Sequence, residues 1–246
     1  MQINLKRILN FIKPKPRLIP APVEKILDNP KGESLVENFS DFYYSSRTSG
    51  DLNWKNDPLI KNPCDVWMMI ELLQKLKPSI ILETGTHMGG SASLYADVMA
   101  MLGINCAVIT IDINPKWSFK PETKNIYSLV GRSTDQKVYS KVCEIVDRVS
   151  KDCPGAVLVT LDSDHSYNNV FSELELYSRF VTMGSYLIVE DTNINGHPSF
   201  PDHGPGPFEA AADFIEQSKE FEVDRECERF LLTFNPKGYL KRIAEK

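Results

Sequence analysis

Ile81-Leu82-Glu83-Thr84-Gly85-Thr86-His87-Met88-Gly89-Gly90-Ser91 runs from an apolar, β-branched segment through a glycine turn into a helical one. Gly85 lets the chain leave a strand tightly, and Gly89 and Gly90 let backbone approach a ligand with no side chain in the way. The spacing departs from the dinucleotide pattern GxGxxG, since position 87 is His. A charged Glu83 at a strand terminus is a poor core residue, so a polar or cationic ligand explains it better than packing does. A nucleotide or nucleoside loop is the reading; a purely structural strand-to-helix turn is its alternative.

Outward from this loop the chain alternates between strand-like and helical periods. Strands are expected at 79–82, 106–111, 126–130, 156–161, 186–189, 221–224 and 229–234, and helices at 66–76, 92–102, 138–149, 169–180 and 208–217. Asn62 is placed to cap the first helix, with Pro63 at its first position. The βαβ rhythm predicts a doubly wound, mostly parallel seven-stranded α/β sheet, with functional residues gathered at the carboxyl ends of its strands. Residues 1–61 show no sustained period of either kind and carry Pro14, Pro16, Pro20 and Pro22, so they read as an arm or substrate cover before a domain at 62–246. Within the arm, Leu5, Ile8, Leu9 and Ile12 form one stripe of a short amphipathic helix, suited to a membrane surface, to the protein's own core or to a second subunit.

Bulk properties narrow the function. At 246 residues and 42% hydrophobic content one substantial core is expected. No apolar run reaches the length of a membrane span, and the N-terminus lacks the pattern of a signal peptide. Cys64, Cys106, Cys143, Cys153 and Cys227 are odd in number and never in CxxC spacing, which fits a reduced, cytoplasmic setting. A formal net charge of -5 argues against nucleic acid as a partner.

Asp112 stands at the end of the second strand, where a carboxylate can accept hydrogen bonds from both ribose hydroxyls; a turn or helix cap is the bland alternative. Ser133, in the polar turn Gly131-Arg132-Ser133-Thr134-Asp135, borders an adenine or, with Thr134, caps the following helix. Asp162-Ser163-Asp164-His165 ends the fourth strand and Glu190-Asp191-Thr192 the fifth, so neighbouring strands deliver four carboxylates and an imidazole to one edge. Such a cluster repels itself unless a cation is bound. Carboxylate oxygens without Cys point to magnesium or manganese, held by Asp162, Glu190 and Asp191. Asp164 is assigned to capping the next helix. His165, among acids at a strand end, is placed to take a proton as general base. The loop 193–207 is placed to cover the cleft, and its His197 and His203 are weaker candidates for a second metal.

These residues together resemble the cephalosporin hydroxylase-like family of class I methyltransferases, related to metal-dependent sugar O-methyltransferases. The resemblance spans about 62–246, through the 83–91 loop, Ile111-Asp112-Ile113, Leu161-Asp162-Ser163-Asp164-His165, Gly184-Ser185-Tyr186-Leu187-Ile188-Val189-Glu190-Asp191-Thr192 and Phe234-Asn235-Pro236-Lys237-Gly238-Tyr239-Leu240. It implies a Rossmann-like class I methyltransferase fold and S-adenosylmethionine at the glycine loop. Glu83, Thr84, Gly85, Gly89, Ser91, Asp112, Ser133 and Asp162 then contact the cofactor. It further implies a divalent ion at Asp162, Glu190 and Asp191, His165 as base, and methylation of a hydroxyl on a sugar or other small molecule. Related sugar enzymes often carry Asp-Asp where this chain has Glu190-Asp191. The rivals are a non-catalytic S-adenosylmethionine-binding or regulatory protein of the same fold, an iron hydroxylase and a nicotinamide dehydrogenase; homo-oligomerisation is open.

Overall fold

A computed structural model describes residues 25–26, 29–114 and 125–245. Chain order is α1 (Pro30–Ser45), a hairpin of β1 (Asn53–Trp54) and β2 (Asp57–Pro58), α2 (Pro63–Leu76), β3 (Ile80–Thr84), α3 (Gly90–Met101), β4 (Ala107–Asp112), β5 (Ile126–Val130), α4 (Gln136–Asp152), β6 (Val157–Leu161), α5 (Tyr167–Tyr177), β7 (Tyr186–Val189), α6 (Pro207–Gln217), β8 (Phe221–Val223) and β9 (Tyr239–Arg242). The seven-stranded sheet has the order β5-β4-β3-β6-β7-β9-β8, with β9 antiparallel to both neighbours and the other pairs parallel.

The central strands are buried on both faces, which is why Ile80-Ile81-Leu82 and Val157-Leu158-Val159 read as continuous apolar runs rather than alternating ones. Successive side chains still go to opposite layers. Ile80, Leu82 and Val159 pack with Val138, Val142 and Val146 of α4 and Leu174 and Tyr177 of α5, whereas Ile81 and Leu158 pack with Met69, Leu72 and Leu73 of α2 and Tyr95 and Met99 of α3. Asn62 caps α2 as expected, its side chain accepting from the Cys64 N–H, with Pro63 opening the helix.

From β3 the chain moves outward through β4 to β5 and then returns to β6 on the other side of β3. The loops after β3 and β6 therefore part at a topological switch point, where open α/β sheets bind ligands.

The structure departs from the sequence pattern in four places. Residues 30–45 form a helix, α1, capped by the Asn29 side chain with Pro30 in its first turn, although no period marked them. The last strand is Tyr239–Arg242 rather than 229–234: Leu231 has φ 65°, and the Thr233 hydroxyl and Phe234 N–H are captured by Asp65 of α2, so that stretch bonds to a helix instead of the sheet. The residue before α4 is Asp135, in place of Ser133 or Thr134. Finally, packing by itself demands the glycine at 90, since a Cβ there would lie 2.3 Å from the Pro58 carbonyl oxygen of the β1–β2 hairpin. The stripe Leu5, Ile8, Leu9 and Ile12 lies outside the described residues.

Candidate active site

A cavity of about 440 Å³ opens at the switch point, lined among others by Gly85, Asp112, Ser133, Asp162 and Asp164. Gly85, at φ +88°, turns the chain directly under β6. At the end of β4, the Asp112 carboxylate accepts from the His87 N–H and from the Asn114 N–H, both at 2.8 Å, which fixes it on the rim. Across the cavity the Asp164 carboxylate accepts from the N–H of Ser166, the residue that opens α5.

Other loop residues lie beneath this surface. Glu83 is wholly buried and accepts from the Thr110 hydroxyl at 2.7 Å. Burial pushes its carboxyl up to about 7, against the Lys61 charge and the Ser91 and Thr110 hydroxyls. Thr84 is also fully buried and accepts from the Asp162 N–H, and Gly89 caps α3 in the left-handed region. Gly85, Asp112, Ser133 and Asp162 thus meet around the cavity, while Glu83, Thr84 and Ser91 form the layer supporting it.

Beside the cavity lies the charged cluster. Asp162, His165 and Asp191 each place one potential ligand atom within 4.8 Å of the others. His165 Nε2 is 3.4 Å from Asp162 Oδ1 and 3.5 Å from Asp191 Oδ2. Burial works against the imidazolium, but Asp162, Asp191 and Glu190 outweigh it and raise His165 to about 9. Burial pushes Asp191 up to about 6. Glu190 accepts from the Thr160 hydroxyl through Oε1 and from Lys61 through Oε2. Lys61 also donates to Asp162 Oδ2 at 2.8 Å. Burial opposes its charge, yet the two carboxylates hold the ammonium protonated.

The Glu190-Asp191 turn is held from behind. The Asp191 N–H donates to Asn235 Oδ1 at 3.0 Å and the Asn193 N–H to the Phe234 carbonyl. That second segment is itself anchored, since Asp65 accepts from Thr233, Phe234 and Tyr239. From α1, Tyr44 packs edge-on against Phe200 and Phe234 at 5.5 and 4.8 Å. Burial and then the charges of Asp191 and Asp162 raise its hydroxyl. His197 pairs with Glu209 at 2.9 Å and stacks on Phe208, while His203 turns to the Gly204 carbonyl; the metal-type cluster found among the described residues contains neither.

A family model described as rhamnosyl O-methyltransferase/CmcI matches residues 46–243. The chain belongs to this family. The rhamnosyl O-methyltransferase of Mycobacterium tuberculosis strain H37Rv is 33% identical over 238 residues, 92% of each chain, and that of Mycobacterium leprae is 34% identical over 215 residues, 85% of this chain and 91% of the relative. An apo structure of CmcI superposes with TM-score 0.61 at 22% identity over 80% of this chain and 78% of that one. A CmcI structure with Mg and SAM gives 0.60 at 19% identity over 79% and 78%. These likenesses establish the class I methyltransferase fold. Matched over 92% of its length to a rhamnosyl O-methyltransferase, this member of the family is an O-methyltransferase, and the hydroxylase, dehydrogenase and non-catalytic readings give way.

One site residue lies beyond the sequence reading of this O-methyltransferase: Lys61 ends the stretch 1–61 that reads as an arm. The surplus of carboxylates at one sheet edge was a signal that a cation is needed, but not that the chain supplies one itself.

Proposed function

We propose that this enzyme transfers a methyl group from S-adenosylmethionine to a hydroxyl of a sugar, with a divalent cation, magnesium or manganese, at the carboxylate cluster and His165 as general base. The observation that carries the reading is that Asp162 belongs to both halves of the site: it lines the nucleoside-sized cavity and contributes to the acid–histidine cluster. The names of the relatives, rhamnosyl O-methyltransferases, support a sugar acceptor.

The residues present fit both groups. Gly85 leaves backbone open to the methionine end of the cofactor, Asp112 offers carboxylate oxygens to the ribose, and Ser133 stands on the wall beyond. Asp162 and Asp191, whose carboxylates gather with His165, would supply oxygen donors to a hard cation, and Glu190, outside that group, would join them through the lone pairs left after accepting from Thr160 and Lys61. S-adenosylmethionine supplies an electrophilic methyl on its sulfonium. A divalent ion, when bound, supplies positive charge that lowers a hydroxyl's pKa and offsets the carboxylate field on His165. His165 Nε2, 3.4 Å from Asp162 Oδ1 and directed to the same cluster, takes the hydroxyl proton. The strand ends that carry Asp162 and Glu190-Asp191 hold the reactants in line.

Calorimetric titration with S-adenosylhomocysteine, with and without manganese, followed by a methyl-transfer assay on rhamnosyl acceptors, tests the reading. Micromolar cofactor binding and metal-stimulated transfer are expected, with His165→Gln slowing transfer by ~10²-fold or more while leaving cofactor affinity intact. Absence of cofactor binding in either buffer refutes the assignment of the cavity, and transfer unaffected by chelator refutes the metal.

A further inference from the structure

Among the described residues of the charged cluster, Lys61 is given no part in holding cofactor or cation or in moving a proton, and its placement is specific. Its ammonium donates to Asp162 and to Glu190, residues on two neighbouring strands, and its side chain is only 8% exposed. A buried charge is retained where partners repay its desolvation. Here the partners are two of the three carboxylates assigned to the cation, and the third, Asp191, faces His165 instead.

We infer that Lys61 is a positioning residue that fixes both the orientation and the charge of the cation site: it clamps one oxygen each of Asp162 and Glu190, and its fixed positive charge matches the three carboxylates to a divalent rather than a trivalent ion. With the His165 ring neutral, as the base role requires, three carboxylates against one ammonium leave two negative charges to be met by the bound ion. The remaining oxygens of Asp162 and Glu190 stay in one place because the lysine pins their partners, and Thr160 further locks Glu190 from the other side. The inference rests on the metal assignment proposed above.

Coulomb energy scales with the product of the charges, so removing one fixed positive charge strengthens binding of a 3+ ion half again as much as that of a 2+ ion at the same distance. A lysine that merely packs would, when replaced, weaken both ions alike. The test is the affinity of the full-length protein for Mn²⁺, by electron paramagnetic resonance, and for Tb³⁺, by luminescence. Lys61→Met is expected to raise the preference for Tb³⁺ over Mn²⁺ by about tenfold or more, whereas Lys61→Arg, which keeps the charge, leaves it within about threefold of the wild type. Lys61→Gln keeps a donor for Glu190 without the charge and carries the same expectation as Lys61→Met, should the latter fail to give the wild-type circular dichroism spectrum. A Tb³⁺ to Mn²⁺ preference unmoved in the neutral variants overturns the role of Lys61 while leaving the metal site standing. Wild-type protein that binds neither ion overturns the metal assignment and this inference with it.

Discussion

A Cβ placed on Gly85 would stand 1.7 Å from the main-chain oxygen of Asp162. The loops that follow β3 and β6 thus meet backbone to backbone, and the residue that begins the cofactor loop fixes the position of the residue shared by cavity and cation cluster. Since Gly85 also has φ +88°, any side chain there meets both a steric clash and an unfavourable backbone conformation.

Gly85→Ala is therefore expected to lose about 3 kcal/mol or more of stability, together with cofactor binding, read as a lower thermal midpoint and a flat titration with S-adenosylhomocysteine. A variant that melts and binds like the wild type would show that the two loops can separate without consequence.

Asp112 is anchored by two backbone N–H groups on the cavity rim, so its replacement alters a ligand contact more than the fold. With Asp112→Ala, affinity for S-adenosylhomocysteine should fall by ~10–100-fold, the worth of one or two hydrogen bonds to a charged acceptor. Calorimetry decides it; unchanged affinity would place the ribose elsewhere.

The buried acids set a pH dependence with a definite sign. Asp65 and Glu83 are held up at about 7 and Asp191 at about 6, chiefly by burial, so the folded chain keeps protons that the unfolded chain has already released. Stability from these groups falls as pH rises from about 4 to about 7. His165, raised to about 9 by its carboxylate partners despite burial, contributes stability that is full below about 6.5 and is lost as pH rises through 9. Both trends run the same way. Chelated protein should melt at a lower temperature at pH 9 than at pH 6, and saturating Mn²⁺ should restore more of the midpoint at the alkaline end. The opposite slope in chelator would refute the charge assignment.

Tyr44 ties α1 to Phe200 and to Phe234, in the segment that backs the Glu190-Asp191 turn. Tyr44→Ala is expected to cost about 1 kcal/mol or somewhat more in stability from two edge-on ring contacts and to raise KM for the acceptor, with cofactor affinity unchanged. Tyr44→Phe keeps the rings and separates the contribution of the hydroxyl. Steady-state kinetics with varied acceptor provides the check, and an unaltered KM in both variants would remove α1 from acceptor binding.

The central strands were legible because each is a short apolar, β-branched run bounded by turn residues; 126–130 and 186–189 fall on β5 and β7, and Asn62-Pro63 marks the start of α2. Asp112, Asp162 and Glu190-Asp191 could be placed because a parallel sheet carries the ends of its strands to a common edge. These are properties of local sequence period and of topology.

What lay outside that reach depends on contacts between residues distant in the chain. Residues 229–234 form no strand, and Asp65, far upstream, captures the Thr233 hydroxyl and the Phe234 N–H. Gly90, Tyr44 and Lys61 took their roles from the hairpin, from two aromatic rings and from two strand-end carboxylates respectively, none of them near in sequence. Period and polarity act over a few residues, and they suffice to set the layered α/β architecture and the acids that gather at one edge. Which partner neutralises those acids follows from burial and hydrogen-bond geometry, which exist once the chain has closed on itself.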